Sequence, residues 1–148
     1  MKDFLIYESG NGGELSLTND IIEETSSIFN QIYLTHFGGN VEASTTGNER
    51  EGEERLDWWG NEFLNTDQQM NSSLEKALID NALTSAGRSV IEQAAKSDVE
   101  FLENIADIST NVYVTGNDKV VISHIVDQKV MNFIWDATNA ELIEEITI

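Results

Sequence analysis

The stretch NVYVTGNDKVVISHIVDQKVMNFIWD, residues 111–136, decides the fold class of this 148-residue chain. Apolar and polar residues alternate along it with a period of two, which is typical of strands that bury one face. Gly116-Asn117 and Asp127-Gln128 interrupt the alternation with residues that favour tight hairpin turns. Residues 141–148 follow after one more turn as a last predicted strand. The sequence therefore predicts a C-terminal antiparallel β-meander.

The N-terminal part predicts a hairpin followed by a helix. Strand candidates at residues 4–7 and 14–17 flank a glycine-rich turn. Apolar side chains then recur at helical spacing over residues 21–33. Asp20 and Glu23 form a capping-box pattern at the start of this segment, so we expect the first helix to begin there.

Two further helices are predicted before the meander. Gly38-Gly39 should end the first helix, and a second capping box at Ser72 and Glu75 should begin the next. A third helix should start near Gly87, with Thr84 and Ser85 as the two candidate caps. Its apolar stripe is formed by Val90, Ile91, Ala94, Ala95, Val99, Phe101, Leu102 and Ile105. Together these elements predict one α+β domain over residues 1–148, with an N-terminal β-hairpin, about three helices and the meander.

A long acidic loop and an unusual tryptophan motif separate the first two helices. Residues 40–57 contain almost no apolar side chains and predict an exposed loop. The loop leads into Asp57-Trp58-Trp59-Gly60-Asn61, where we expect one tryptophan in the core and the other at a rim or partner surface. Arg88 lies in the first turn of the third helix, where a cation opposes the helix dipole, which predicts a carboxylate partner elsewhere.

The net charge limits the possible partners. Eight basic residues against 27 acidic residues give a formal net charge of −19. DNA, RNA and anionic membranes would repel such a chain, so we expect neither a nucleic-acid nor a membrane partner. A cation, a basic protein or a DNA-mimic role remains compatible with the charge. The chain contains no cysteine, which excludes disulfides. The absence of a signal-peptide-like or membrane-spanning apolar run predicts a product that is made and kept in the cytosol, or released by lysis rather than by secretion.

Catalytic patterns are weak in this sequence. The only imidazole bases are His36 and His124, predicted at a helix end and in a strand, which favours structural roles. Some pair among 27 carboxylates will always be close, so a glycosidase pair cannot be assigned. Residues 49–54 lack the ligand ladder of a calcium loop. We expect no catalytic, cofactor-binding or metal-binding residues. Two alternative functions are kept beside this expectation: an acidic DNA mimic and a peptidoglycan hydrolase.

A succession of motifs along nearly the whole chain resembles a known family. The motifs are Gly12-Gly13-Glu14-Leu15, Phe37-Gly38-Gly39-Asn40, Asp57-Trp58-Trp59-Gly60-Asn61, Leu83-Thr84-Ser85-Ala86-Gly87-Arg88 and Phe133-Ile134-Trp135-Asp136. They resemble the baseplate wedge proteins of Mu-like contractile-tailed phages, within the wider sheath-initiator group once labelled lysozyme-like. The Trp-Trp-Gly segment is the most specific of them.

The resemblance implies a non-enzymatic virion protein without a cofactor. It would be made in the bacterial host cytoplasm and would lie in the tail baseplate in several copies, against other wedge proteins and tail sheath or tube proteins. In the wider group, C-terminal strands exchange with the first sheath ring, which maps here to residues 130–136 and 141–148. The candidate partner interface implied here consists of Trp58, Trp59, Glu141, Leu142, Ile143, Ile146 and Ile148.

Overall fold

The computed structural model describes residues 1–8, 13–38, 63, 65 and 72–147. Within these ranges the protein is α+β, with N-terminal strand pairs, three helices and a C-terminal antiparallel sheet, as predicted. The predicted acidic loop at 40–57 and the motif at 57–61 lie outside the described residues.

The described residues up to Ser26 form three short antiparallel strand pairs. The strands are β1 (Lys2–Phe4), β2 (Ile6–Glu8), β3 (Gly13–Leu15), β4 (Leu17–Thr18), β5 (Ile21–Ile22) and β6 (Glu24–Ser26). β1 pairs with β6, β2 with β3, and β4 with β5. The pairing of β2 with β3 confirms the predicted N-terminal hairpin.

The first helix, α1 (Ser27–Phe37), begins later than predicted. Asp20 does not cap it, because Asp20 and Asn19 form the tight turn between β4 and β5, both with positive φ. Glu23 does not complete a capping box either, since its carboxylate accepts hydrogen bonds from two hydroxyls of the neighbouring strands. A two-residue turn with positive φ suits Asn and Asp, so the chain folds back as a hairpin before the helix begins. The helix ends as predicted, and Gly38 donates its N–H to the carbonyl of Leu34.

The other helices are α2 (Leu74–Asp80) and α3 (Ser85–Val99), followed by a 3₁₀ helix (Glu100–Asn104). The Thr84 hydroxyl accepts a hydrogen bond from the N–H of Gly87 at 3.1 Å, which confirms the predicted cap. Ser72 accepts one from the N–H of Glu75 at 3.4 Å, which is one half of the second predicted capping box.

Three residues of the predicted apolar stripe do not reach the core. Val90, Phe101 and Ile105 are 46%, 58% and 68% exposed. The α-helix ends at Val99, and of the later stripe residues only Leu102 stays in the core, because the tighter 3₁₀ turn changes which side chains share a face. Val90 flanks the buried Ile91, about 100° away around the helix axis.

The C-terminal strands form the predicted meander. They are β7 (Ile108–Thr115), β8 (Lys119–Val126), β9 (Lys129–Asp136) and β10 (Glu141–Thr147), in the spatial order β10-β9-β8-β7. Asp127 and Gln128, which join β8 to β9, both have positive φ, as a tight hairpin turn requires.

The helices cover one face of this sheet and form the core with it. Among the fully buried side chains are Ile32, Leu74, Ile91, Leu102, Ile122 and Phe133. These residues come from the three α-helices, the 3₁₀ helix and the sheet, so the packing fixes the helices on a single face. Within the described ranges, no helix is long and apolar enough to cross a membrane.

Candidate functional site

β10 forms one edge of the four-stranded sheet. Of the described strands, only β9 pairs with it, so its other side presents backbone groups without a strand partner. β2 lies near β10, but the described ladders pair β2 only with β3. An open strand edge recruits further strands through backbone hydrogen bonds.

The structure places part of the predicted partner interface on this strand. Glu141 is exposed, whereas Leu142 is half-buried, faces Trp135 and packs against the core. Ile143 lies at an irregularity where the register between β10 and β9 shifts. Ile146 continues the strand opposite Asn132. Trp58, Trp59 and Ile148 lie outside the described residues, as do Asp57, Gly60 and Asn61.

Asp136 shapes the turn that leads into β10. Its carboxylate accepts hydrogen bonds from the backbone N–H groups of Thr138 and Asn139 at 2.8 and 3.2 Å, and from the Asn139 side chain. The bond from Thr138 contributes most to lowering the pKa of Asp136, which keeps the carboxylate ionised. This turn brings the chain back antiparallel to β9 and so fixes where β10 begins.

The opposite edge of the sheet, β7, is covered. α3 packs against β7, and Arg88 donates a hydrogen bond from Nη1 to the Val112 carbonyl at 3.0 Å. The same nitrogen forms an ion pair with Glu92 at 2.7 Å. The predicted carboxylate partner of Arg88 therefore lies one turn away on its own helix rather than elsewhere in the chain. α3 and the Arg88 guanidinium therefore cover part of β7.

A buried polar network links the helices to the sheet. His36 and His124 are both completely buried, and their Nε2 atoms lie 2.9 Å apart. Asp98 lies 3.4 Å from Nδ1 of His36, and the Thr110 hydroxyl lies 2.9 Å from Nδ1 of His124. The predicted placements in a helix end and a strand are correct, but the sequence gives no sign that the two imidazoles meet.

One arrangement of protons satisfies every contact of this network. Nδ1–H of His36 donates to the Asp98 carboxylate, and Nε2–H of His124 donates to Nε2 of His36. The Thr110 hydroxyl then donates to Nδ1 of His124. Both imidazoles are neutral in this arrangement, and all donors point along the chain toward Asp98.

Asp98 also holds the start of α2. Its carboxylate accepts hydrogen bonds from the N–H groups of Ser73, at 3.0 and 3.1 Å, and Leu74, at 2.9 Å. A carboxylate at a helix N-terminus satisfies unpaired donors and complements the helix dipole. The Ser72 hydroxyl donates to the carbonyl of His36, which connects the same helix start to the end of α1. The network therefore joins α1, α2, α3, β7 and β8.

Burial changes the protonation of two groups in this region. Desolvation, followed by the neighbouring His36, lowers the pKa of His124 well below 6.5. Desolvation raises the pKa of Glu75, in the first turn of α2, to about 7. His124 is therefore neutral in the folded protein, whereas Glu75 titrates near neutral pH.

The buried network resembles a proton relay only in that a hydroxyl, two imidazoles and a carboxylate follow one another in a chain of hydrogen bonds. Its members are buried, and none of them lines the surface pocket of about 400 Å³ that is formed by Glu103, Ala106, Asp107 and Ile108. In the part of the chain that the structure describes, no group of three metal-binding side chains comes together. The arrangement suits a structural tie between elements better than a reaction centre.

Comparisons of the chain with protein-family models, with curated proteins and with solved structures found no match.

Proposed function

We propose that this chain is a structural subunit of a contractile-tail baseplate, of the Mu-like wedge type, without enzymatic turnover. In this proposal β10 accepts a strand from a neighbouring sheath or wedge protein. Two things support it: the succession of motifs that resembles the wedge family, and the open edge of β10. The structural observation that carries the proposal is that, among the described strands, only β9 pairs with β10.

The sequence of the last strands favours strand addition at this edge. Natural sheets commonly protect their edges with proline or with charged side chains, lysine above all. Residues 130–148 contain neither proline nor any basic residue. They contain Asp136, Glu141, Glu144 and Glu145, so an incoming strand that carries basic side chains would be matched in charge.

The register of the sheet identifies the backbone groups that would bind such a strand. In an antiparallel ladder, alternate residues direct their backbone groups to opposite sides of the strand. The two-residue turn makes Val126 and Lys129 a hydrogen-bonded pair. Lys129 and every second residue after it in β9 therefore direct their backbone groups toward β8, and the residues between them direct theirs toward β10. Asn132 is one of the latter, so its backbone groups and those of its partner Ile146 point toward each other. The amides of Glu145 and Thr147 therefore point to the open edge.

A substitution at Thr147 tests the proposal. Thr147→Pro removes an outward N–H and leaves the β9–β10 ladder intact, so the protein should fold and fail to accept a strand. Thr147→Ala keeps the N–H and is the matched control. In the phage or prophage that carries the gene, we expect Thr147→Ala to give full-length sheathed tails in electron micrographs, and Thr147→Pro to give tails without sheath.

Circular dichroism of the two purified variants should show the same fold. Normal sheathed tails from Thr147→Pro, or from a deletion of residues 141–148 that still folds, would show that β10 does not recruit the sheath. The proposal also predicts that the purified protein clears no peptidoglycan in a zymogram.

A further inference from the structure

The strand pair β4–β5 and its turn form a small projecting hairpin, residues 17–22, with exposed aliphatic side chains. Leu17 and Ile21 are 62% and 70% exposed, and Ile22 is 38% exposed. Leu17 is paired with Ile22, whereas Ile21 is paired with Thr18, so the aliphatic groups lie on both faces of the hairpin. Nearby exposed apolar residues are Phe4 and Leu15, at 54% and 49%.

The base of this hairpin is a closed ring of backbone hydrogen bonds. Leu5 donates to the carbonyl of Glu23 at 2.8 Å, Glu23 donates to that of Ser16 at 2.9 Å, and Ser16 donates to that of Leu5 at 3.0 Å. Each of the three residues thus donates one bond and accepts one. The three strand pairs meet at this ring, so the direction in which the 17–22 hairpin projects is fixed.

Side chains reinforce the junction and attach it to α1. The Glu23 carboxylate accepts hydrogen bonds from the hydroxyls of Ser16 and Thr18. Asn30 of α1 donates to the carbonyl of Phe4 at 2.6 Å and accepts from the N–H of Ile6 at 3.3 Å. The exposed aliphatic groups are therefore held in place before any partner binds, which lowers the entropic cost of association.

The charge around the hairpin indicates the kind of partner. Residues 1–26 contain one basic residue, Lys2, and six acidic residues, a net charge of −5. Lys2 is already paired with Glu24 at 3.0 Å, while Asp20 lies exposed at the tip of the hairpin. A second copy of the chain would bring the same charge against this surface, and each copy carries −19.

We propose that the 17–22 hairpin docks into an apolar cleft with a basic rim on another protein. A cleft is required because a flat surface can cover only one face of a hairpin that exposes aliphatic groups on both. The basic rim would complement Asp20 and the acidic residues at the base of the hairpin. This inference does not rest on strand addition at β10, since the two surfaces use different residues.

Position-specific crosslinking tests the docking. Ile21 and, as the control, Ile105 of the 3₁₀ helix are each replaced with the photoreactive residue p-benzoylphenylalanine, because they have nearly equal exposure, 70% and 68%. After irradiation of the native cells, we expect position 21 to form a crosslink with a Lys- and Arg-containing segment of a different protein. Position 105 should not form this crosslink.

The partner that the crosslink identifies is then purified without the crosslink, and its Kd for variants of this chain separates the apolar from the charged contribution to binding. Ile21→Ser should raise the Kd at least about tenfold, and Ile105→Ser should leave it within about twofold. Asp20→Asn, which keeps a residue that tolerates positive φ, should reduce the salt dependence of binding.

A crosslink only to a second copy, equal crosslinking at both positions, or an unchanged Kd for Ile21→Ser would overturn the inference. Thr147→Pro serves as the independent control, because it blocks β10 and should leave this Kd unchanged.

Discussion

At the scale of single residues, the pair of buried imidazoles is the most constrained feature of the protein. Nε2 of His36 and Nε2 of His124 share one hydrogen bond, so one of the two nitrogens must carry the proton and the other must lack it. Two imidazolium ions would place two N–H groups against each other in a site without solvent. The folded state therefore excludes the doubly protonated pair.

This constraint predicts that His124 makes the protein less stable in acid. An unfolded histidine binds a proton near pH 6.5, whereas the depressed pKa of His124 keeps it neutral in the folded state. The unfolded state then binds more protons, so His124 lowers the free energy of unfolding as the pH falls below about 6.5. The slope is at most about 1.4 kcal/mol per pH unit. Urea unfolding at pH 7.5, 6.5 and 5.5 measures it.

Glu75 acts in the opposite direction and has to be separated from His124. Its pKa rises from 4.5 to about 7 on folding, so the folded state binds more protons between these values and gains stability as the pH falls. We expect Glu75→Gln to steepen the loss of stability in acid and His124→Asn to flatten it. Equal slopes for the wild-type protein and His124→Asn would contradict the neutral assignment of His124.

The sequence could not have revealed the histidine network. His36 is separated from Asp98 by 62 residues and from His124 by 88. Each residue on its own fits an ordinary helix end or strand position, and only the packing of α1 over β8 brings them together. Thr110 carries no signal either, because a threonine in a strand is expected from β propensity alone.

At the scale of elements, α3 packs against the edge strand β7, and Arg88 contributes a hydrogen bond to this contact. Arg88→Ala removes the hydrogen bond to Val112 on β7 as well as the ion pair with Glu92. We expect it to lower the free energy of unfolding by about 0.5–1.5 kcal/mol. Glu92→Ala removes only the partly exposed ion pairs with Arg88 and Lys96 and should cost less than about 0.5 kcal/mol. Equal losses in urea unfolding would mean that the contact with Val112 contributes nothing.

The buried face of α3 gives a second test at this scale. Ile91 is fully buried, so Ile91→Ala should lower the free energy of unfolding by about 2–5 kcal/mol. Ile105 belongs to the same predicted apolar stripe but is 68% exposed, so Ile105→Ala should change it by less than about 0.5 kcal/mol. Thermal or urea unfolding distinguishes the two variants. Similar losses in the free energy of unfolding would mean that Ile105 is buried on the same apolar stripe as Ile91.

The meander could be predicted from the sequence and the start of α1 could not, because the repeating pattern of apolar residues is long in the meander and short before α1. Along β8 and β9 every second side chain faces the core, with a turn signal at each end of the two strands. Ile21 and Ile22 offer only two apolar residues, which fit a helical repeat and a short strand equally well. The turn at Asn19 and Asp20 decides between them, and the ring of hydrogen bonds at Leu5, Ser16 and Glu23 is visible only once the strands have paired.

At the scale of the whole molecule, negative charge is spread along the chain. Residues 1–57 contain three basic and twelve acidic residues, a net charge of −9, and residues 58–106 and 107–148 each carry −5. A single cation site would concentrate the charge, whereas a distributed excess keeps separate copies apart. Both proposed surfaces, the β10 edge and the 17–22 hairpin, would then select basic partners and disfavour self-association.

The most direct measurement of strand addition is hydrogen exchange at the outward amides of β10. In the isolated protein, the N–H groups of Glu145 and Thr147 should exchange with solvent much faster than that of Ile146, which points toward β9. In assembled tails, both outward amides should become protected, as a new ladder would require. Outward amides that exchange as fast in the assembled tail as in the isolated subunit would contradict the account.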